Sequence, residues 1–131
     1  MPKKITPFLM FEGRAQEAID FYLKVFDDAE VISVVRYGPG EPGPEGSIQL
    51  AHLRVCGQEF LCNDSYVSHA FTFTPSLSLF VECESEEEID RLYPVLSEQG
   101  GAMMPLGQYG FSAKFAWVAD RFGVSWQLNL P

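Results

Sequence analysis

Apolar positions in the first half of the chain follow two periods, one typical of a helix and one typical of strands. Residues spaced three or four apart predict an amphipathic helix over 14–27, with an apolar stripe of Ala15, Ala18, Ile19, Tyr22 and Phe26. Runs of β-branched or alternating apolar residues predict strands at 5–11, 31–37, 47–55 and 58–63. The last two predicted strands meet at Cys56-Gly57, where glycine favours a tight hairpin turn.

The second half repeats this order of elements. Ser85 and Glu88 form a capping box that predicts the start of a helix, and Gly100-Gly101 predicts its end. Pro94 lies inside this helix and lacks the amide that would bond to Asp90, so a kink or an early end is expected there. Strands are predicted at 77–81, 102–106, 111–119 and 124–130, the last two joined by a bulged turn at Gly123.

The two halves match as an internal repeat. Residues 17–20 (EAID) resemble residues 87–90 (EEID) at an offset of 70, whereas the hairpin glycines Gly57 and Gly123 match at an offset of 66. The four extra residues of the first half fall in the Gly- and Pro-rich segment 38–46. The sequence thus predicts one α+β domain over 1–131 made of two βαβββ modules, module 1 at about 3–66 and module 2 at about 74–131.

Charge and hydropathy limit the possible partners. The formal net charge is −9 and the nine Lys and Arg never cluster, which disfavours nucleic acid and anionic membrane surfaces as partners. No uncharged apolar stretch approaches the roughly 20 residues of a membrane span. The first residues lack the apolar core of a signal peptide, so a cytoplasmic protein is expected.

The three cysteines, Cys56, Cys62 and Cys83, have neither a disulfide pattern nor zinc-ligand spacing. Cys62 with His52 or His69 could form a thiolate pair. Nothing in the sequence places a helix N-terminus or a sharp turn to activate the thiol, so a buried apolar cysteine is the preferred interpretation.

Three segments together resemble a known family. Residues 6–11 (TPFLMF), 18–22 (AIDFY) and 120–127 (DRFGVSWQ) are similar to the PhnB-like branch of the vicinal-oxygen-chelate (glyoxalase/bleomycin resistance/dioxygenase) superfamily, a branch labelled 3-demethylubiquinone-9 3-methyltransferase. The resemblance implies a curved mixed sheet with helices on its outer face, and a homodimer. A methyl donor usually needs a Gly-rich turn between a parallel strand and a helix, and the Gly/Pro segment 38–46 does not offer one. The methyltransferase label is therefore disfavoured.

The resemblance also implies four positions at which superfamily enzymes hold a metal. They fall here at Gln127, Leu61, Ser76, and Thr6 or its neighbour Pro7. Leucine cannot bind a metal and hydroxyls are poor ligands for transition metals. We therefore expect no metal and no other cofactor.

Strand alternation within the implied fold predicts a small-molecule site in the sheet concavity. The candidate ligand-binding residues are Phe8, Met10, His52, Arg54, Ser76, Ser78, Trp117 and Gln127, and Phe80 and Tyr37 are further candidates for the lining of the concavity. Ile48, Leu50, His52 and Arg54 should share one face of their strand, because Ala51, Leu53 and Val55 form an apolar face that packs on the helices. His52 is then either a hydrogen-bonded pocket residue or a general base or anion partner.

These features leave several functions open. The preferred one is metal-independent binding of a small apolar or aromatic molecule, and the alternative is a metal-dependent enzyme of glyoxalase or dioxygenase type. The same side chains could instead fill the concavity, or form an interface between copies of the chain. The segment 38–46 is either a lid or a hairpin loop.

Overall fold

The computed structural model describes all residues, Met1–Pro131. The chain divides into two compact units, Met1–His69 and Ala70–Pro131, called module 1 and module 2 below. Module 1 contains β1 (Phe8–Phe11), α1 (Ala15–Val25), β2 (Ala29–Arg36), β3 (Ile48–Val55) and β4 (Gln58–Asp64). Module 2 contains β5 (Ser78–Glu82), α2 (Glu86–Ser97), β6 (Gly101–Gly107), β7 (Lys114–Ala119) and β8 (Ser125–Leu130).

Each module is a four-stranded mixed sheet with one helix on one face. The strand orders are β1-β4-β3-β2 and β5-β8-β7-β6. The first strand of each module runs parallel to the last, and the other pairs are antiparallel. α1 packs on β2, β3 and β4, and α2 packs on β6, β7 and β8. The predicted α+β class with two βαβββ modules is confirmed, whereas their union in one domain stays a prediction.

The start of α1 is fixed by a residue from the far end of the same module. Arg14, the N-cap residue, makes no side-chain capping bond. The buried carboxylate of Asp64, at the end of β4, instead accepts the amides of Gly13 (2.9 Å) and Ala15 (2.8 Å). An anion at this position satisfies free amides and complements the helix dipole. The helix is shorter than the predicted 14–27 because the chain is already extended at Phe26.

The start of α2 matches the prediction, and of the two effects expected at Pro94 the early end does not occur, whereas the kink stays a prediction. The Glu88 amide donates to the Ser85 hydroxyl (3.1 Å), and the Glu88 carboxylate accepts the amide of Glu84 (3.0 Å). The helix does not end early at Pro94, because it continues to Ser97. A proline removes one backbone bond while the following turn can still form, and the Glu98 amide bonds to the Pro94 carbonyl (3.1 Å).

The chain leaves α2 through Gln99, which has a left-handed φ of 61°. Glycine is the usual residue with this conformation at a helix end, and the sequence offered Gly100-Gly101 for it. Gly100 serves a different purpose there. A Cβ atom at Gly100 would lie 2.1 Å from the carbonyl oxygen of Ala119, so only glycine fits against β7.

Both predicted hairpin turns are confirmed. Cys56 and Gly57 have φ values of 49° and 82°, the conformation of a two-residue type I′ turn. Gly123 has φ 90°, and its amide bonds to the Asp120 carbonyl (2.9 Å).

The face predicted for Ile48 is wrong. Ile48 is fully buried, whereas Leu50, two positions on, is exposed. The β2–β3 register shifts between Val35 and Arg36, which pair with Leu50 and Ile48. An extra residue in a ladder turns the following side chain to the other face. The Ile48 amide bonds to Asp64 (3.1 Å), which holds it there.

Neither helix is long and apolar enough to cross a bilayer, since they contain 11 and 12 residues.

Candidate ligand-binding faces of the two sheets

Each sheet has one face against its helix and an opposite face, called here the open face. In β3 of module 1, Ala51, Leu53 and Val55 are buried on the helix side, as predicted. His52 and Arg54 alternate with them and therefore lie on the open face. Phe8 and Met10 of β1 join them, since Leu9 and Phe11 are buried on the helix side.

The open face of module 1 is centred on a row of three side chains from neighbouring strands. Phe8 pairs with Leu61 of β4, and Leu61 pairs with His52 of β3. Phe8 is 50% exposed despite its position in a strand. Asn63 lies one step further along β4, opposite Met10, and its Oδ1 atom is buried without a hydrogen bond. Phe8 and Leu61 thus form an apolar surface bordered by the polar groups of His52 and Asn63.

A charged cluster borders that row. Glu59 Oε1 accepts a hydrogen bond from Lys4 Nζ (2.8 Å) and lies 2.6 Å from His52 Nε2. The hydrogen bonds from Lys4 and from His52 lower the pKa of Glu59. Arg54 lies two residues beyond His52 and forms an ion pair with Glu30 of β2 (2.9 Å).

The open face of module 2 is also centred on a row that crosses the sheet. Phe80 of β5 pairs with Gln127 of β8, Gln127 pairs with Trp117 of β7, and Trp117 pairs with Met104 of β6. Phe80 is 54% exposed, and Gln127 and Trp117 are half-buried. Two aromatic rings thus flank one primary amide.

A hydrogen-bond network lies beside this row. The Trp117 indole N–H donates to the Ser125 hydroxyl (2.9 Å), which lies 2.6 Å from the Ser78 hydroxyl. Both hydroxyls also lie within hydrogen-bond distance of the Pro75 carbonyl oxygen (3.3 and 3.4 Å). Ser125 is buried, and the network fixes the plane of the Trp117 ring.

Three further aromatic rings gather at the other end of the module 2 face. Tyr109 and Phe111, from the loop between β6 and β7, both contact the ring of Phe115 edge-on, with centroids 6.2 and 4.9 Å away. Phe115 is buried, whereas Phe111 is 63% exposed. An exposed aromatic ring held by its neighbours is a ready contact for an apolar ligand.

Most of the predicted site residues fall into two groups, one in each module. The module 1 open face carries Phe8, Met10, His52 and Arg54, and the module 2 open face carries Ser78, Trp117 and Gln127. Their meeting in one concavity stays a prediction, as do their roles. Ser76 precedes β5 and is exposed, with its hydroxyl 2.9 Å from that of Thr74.

Tyr37 does not lie on an open face. It is buried at the end of the β2–β3 hairpin, edge-on to Tyr66 with ring centroids 6.0 Å apart. A Cβ atom at Gly43 would lie 2.4 Å from its ring, so the segment 38–46 packs directly on Tyr37. The hairpin is closed by backbone bonds from Tyr37 to Ser47 (2.9 Å) and from Gly46 to Tyr37 (2.8 Å). This segment is therefore an anchored hairpin loop.

Cys62 cannot form a thiolate pair with His52. It is buried on the helix side of β4, while His52 lies on the open face of β3. Burial raises the pKa of Cys62 to about 12, with a smaller contribution from Asp64. His69 is hydrogen-bonded to Ser65 (2.9 Å) in the loop after β4.

Sequence reasoning missed Glu59, Asn63 and Ser125. The alternation of β4, with Phe60, Cys62 and Asp64 buried, places Glu59 and Asn63 on the same face as Leu61. That alternation was visible in the sequence. The contact between Glu59 and His52 was not, because it depends on the register of β3 against β4.

The residues at the implied metal positions do not fit a metal. Leu61 offers no ligand atom and packs between Phe8 and His52 in the ladder. Ser76 is exposed in a loop, and Gln127 alone has a plausible donor. No three His, Cys, Asp or Glu side chains lie together as a possible metal-binding group.

The Gly-rich segment also does not fit the glycine-rich turn with which a methyl-donor cofactor is usually bound. The Gly-rich segment 38–46 connects the antiparallel strands β2 and β3 and is followed by a strand. Anion-binding glycine turns instead follow a parallel strand and open a helix, where free amides point at the ligand.

Two βαβββ modules, each with its first strand parallel to its last, define the glyoxalase/bleomycin resistance/dioxygenase class of fold. A domain of that class from Frankia sp. EAN1pec matches with a TM-score of 0.68 at 13% identity, covering 99% of this chain and 98% of that one.

Within that class, the chain belongs to the PhnB-like family described as 3-demethylubiquinone-9 3-methyltransferase, whose model matches residues 3–129. A PhnB protein from Bacillus cereus is 54% identical, with a TM-score of 0.94, and the match covers 98% of this chain and all of that one. Protein YjdN of Escherichia coli is 24% identical over 96% of this chain and 94% of its own length. The predicted family resemblance is confirmed.

Proposed function

We propose that this protein binds a small apolar or aromatic molecule on the open faces of its sheets, without a metal. The observation that carries the proposal is the exposure of two phenylalanines on the central rows of these faces. Phe8 and Phe80 leave half or more of their surface uncovered, although each lies in a strand. Covering such rings contributes about 25 cal/mol per Å² of apolar surface, so these faces gain stability when a ligand covers them.

Polar groups beside each ring would give the site its selectivity. The Gln127 amide lies between Phe80 and Trp117, and the Asn63 amide lies beside Met10. A few polar groups within an apolar surface are typical of small-molecule sites.

Titration with indole, 1-naphthol and cyclohexanol, followed by amide NMR, tests the proposal. We expect saturable shifts at β1, β4, β5 and β8 for the aromatic compounds. Phe8→Ser and Phe80→Ser should weaken binding by about tenfold each, the effect expected from losing a buried ring contact of about 1.4 kcal/mol. Leu23→Ser, an exposed apolar position on α1, is the matched control and should bind as the unmodified protein does. Shifts that never saturate, or equal effects from all three variants, would contradict the proposal.

The alternative is a metal-dependent enzyme of glyoxalase or dioxygenase type. Elemental analysis of protein purified without chelators separates the two. Stoichiometric Ni, Zn, Fe or Mn that is lost in Gln127→Leu would support the enzyme and overturn the metal-free proposal.

We further propose that the protein is a cytoplasmic homodimer. β2 is an edge strand that exposes Val31, Ile32, Val34 and Val35, and apolar edges of this kind are normally covered. The family resemblance favours a second copy as the cover. Light scattering at micromolar concentration should give twice the monomer mass, and Ile32→Lys should lower it. A monomer in both cases would contradict the proposal.

A further inference from the structure

His52 and Glu59 form a carboxylate–histidine pair with a defined proton position. Glu59 Oε1 lies 2.6 Å from His52 Nε2, and the lowered pKa of Glu59 keeps its carboxylate ionised at neutral pH. An ionised carboxylate only accepts hydrogen bonds, so Nε2 carries the proton of the neutral ring. Nδ1 then carries the lone pair.

The Arg54 guanidinium and an apolar surface lie on the same open face as His52. Arg54 lies two residues beyond His52 in β3, and the rise of a strand puts their Cα atoms about 7 Å apart. One nitrogen of its guanidinium bonds to Glu30, which leaves other N–H groups free to donate. Leu61 and Phe8 continue the row of His52 across β4 and β1.

From this arrangement we propose that the open face of module 1 catalyses metal-independent proton transfer on an apolar carbonyl compound. His52 Nδ1 is the base that removes a proton from the carbon beside the carbonyl, and Arg54 stabilises the resulting enolate oxygen. Both are catalytic residues in this proposal, while Glu59 is a positioning residue that fixes the ring and its tautomer. The inference rests on the proposed function only in requiring that an apolar molecule reaches this face.

The step balances without an oxidant, a metal or a second reactant. The C–H bond breaks, its electron pair forms the carbon–carbon double bond of the enolate, and the carbonyl π pair moves to oxygen. The proton passes to Nδ1, and the resulting imidazolium is stabilised by the Glu59 carboxylate. Return of the proton to the same or a neighbouring carbon completes an exchange or an isomerisation.

The charged groups around His52 come from the neighbouring strands and from the N-terminal segment. Glu59 contacts it from β4, Lys4 contacts Glu59 from the N-terminal segment, and Arg54 and Glu30 lie further along β3 and β2. Its two direct neighbours across the sheet, Leu61 and Ser33, do not titrate. Glu59 is therefore the only carboxylate in contact with the ring.

Hydrogen–deuterium exchange of the methylene group of phenylacetone, followed by proton NMR in D₂O with EDTA present, tests the proposal. We expect exchange above the buffer rate, saturating with phenylacetone, and reduced about 100-fold in His52→Ala, as expected for loss of a positioned base. Added imidazole should restore exchange in His52→Ala. The chain has only two histidines, so His69→Gln is the matched control and should exchange normally.

Two further measurements separate catalysis from a structural role and from simple binding. Glu59→Gln should lower the exchange rate at saturating phenylacetone and leave the half-saturating concentration unchanged, a split that a merely structural effect on folding would not produce. Exchange that persists in His52→Ala, or an unchanged saturated rate in Glu59→Gln, would overturn the inference. Binding of phenylacetone by amide NMR without exchange would also overturn it while leaving the proposed function intact, and absence of both binding and exchange would count against the two together.

Discussion

The buried carboxylate of Asp120 accepts the indole N–H of Trp126 at 2.9 Å. Its other oxygen accepts the amides of Phe122 (2.9 Å) and Val124 (3.0 Å). The Asp120 side chain thus closes the β7–β8 turn and holds the Trp126 ring on the helix side of β8. With Trp126 on that side, its neighbours Ser125 and Gln127 face the open side. The DRFGVSWQ segment (120–127) is therefore a structural unit that orients Ser125 and Gln127 toward the open face of module 2.

Replacement of Asp120 should be among the most destabilising changes in module 2. Asp120→Ala would leave three donors without an acceptor, two of them in a tight turn, and each unsatisfied buried group costs about 1–3 kcal/mol. We expect the free energy of unfolding in urea to fall by at least about 3 kcal/mol. Asp27→Ala, at an exposed position after α1, is the control and should change it by less than about 0.5 kcal/mol. A comparable effect from both variants would contradict this account of the turn.

The two helix starts should respond differently to loss of their caps. Asp64→Ala removes the acceptor for the amides of Gly13, Ala15 and Ile48, which joins the start of α1 to two strands. Ser85→Ala removes one local capping bond of α2, worth about 1 kcal/mol. Urea unfolding should therefore show a loss for Asp64→Ala that is at least twice that for Ser85→Ala. The reverse order would mean that Asp64 is not the anchor of α1.

The contrast between these caps also explains what the sequence could predict. The cap of α2 was predictable because Ser85 and Glu88 are three residues apart, whereas Asp64 is 49 residues from Ala15. Similarly, the turn at Cys56-Gly57 follows from local preference, but the burial of Ile48 depends on a register shift between two strands. The open-face candidates on strands were predictable from alternation. The partner of His52 was not, since it required the register of β3 with β4.

Two adjacent glycines after α2 provide a matched pair for testing close packing. A Cβ atom at Gly100 would lie 2.1 Å from the Ala119 carbonyl oxygen, whereas one at Gly101 would have no atom within 4 Å. Gly100→Ala should lower the free energy of unfolding by about 3 kcal/mol, because backbone must move to make room. Gly101→Ala should leave it within about 0.5 kcal/mol. Equal stability of the two variants would refute the close approach of Gly100 to β7.

Thiol reactivity should distinguish the exposed cysteine from the buried ones. Cys56 is exposed, while Cys62 and Cys83 are buried, and burial raises the pKa of Cys62 to about 12. Ellman's reagent at pH 8 should titrate one thiol in the folded protein and three after denaturation, because only an exposed thiolate reacts. Cys56→Ser should abolish the fast reaction. Rapid reaction of a second thiol in that variant would contradict the burial of Cys62 and Cys83.

The raised pKa of Cys62 also predicts how the free energy of unfolding changes at high pH. The pKa of Cys62 is higher in the folded protein than the ordinary value of 9.0, so the unfolded chain loses this proton first. The stabilisation is complete below about pH 9 and is lost as the pH rises toward 12. Comparison of Cys62→Ala with the unmodified protein across that range isolates the contribution, since the variant should lack this part of the decline.

Two serines of module 2 with buried hydroxyls should respond differently to replacement by alanine. Ser125 Oγ accepts the Trp117 indole N–H and contacts the Ser78 hydroxyl, whereas Ser112 Oγ is buried without a hydrogen bond. Ser125→Ala leaves a half-buried donor unsatisfied and should cost about 1–3 kcal/mol of unfolding free energy. Ser112→Ala removes a buried hydroxyl that makes no hydrogen bond in the folded protein. The free energy of unfolding should therefore stay the same or rise. The Trp117 fluorescence should change only in Ser125→Ala, with Trp126→Phe as the background that isolates its signal. A stability loss in Ser112→Ala as large as that in Ser125→Ala would show that the Ser78–Ser125–Trp117 network does not hold the ring in place.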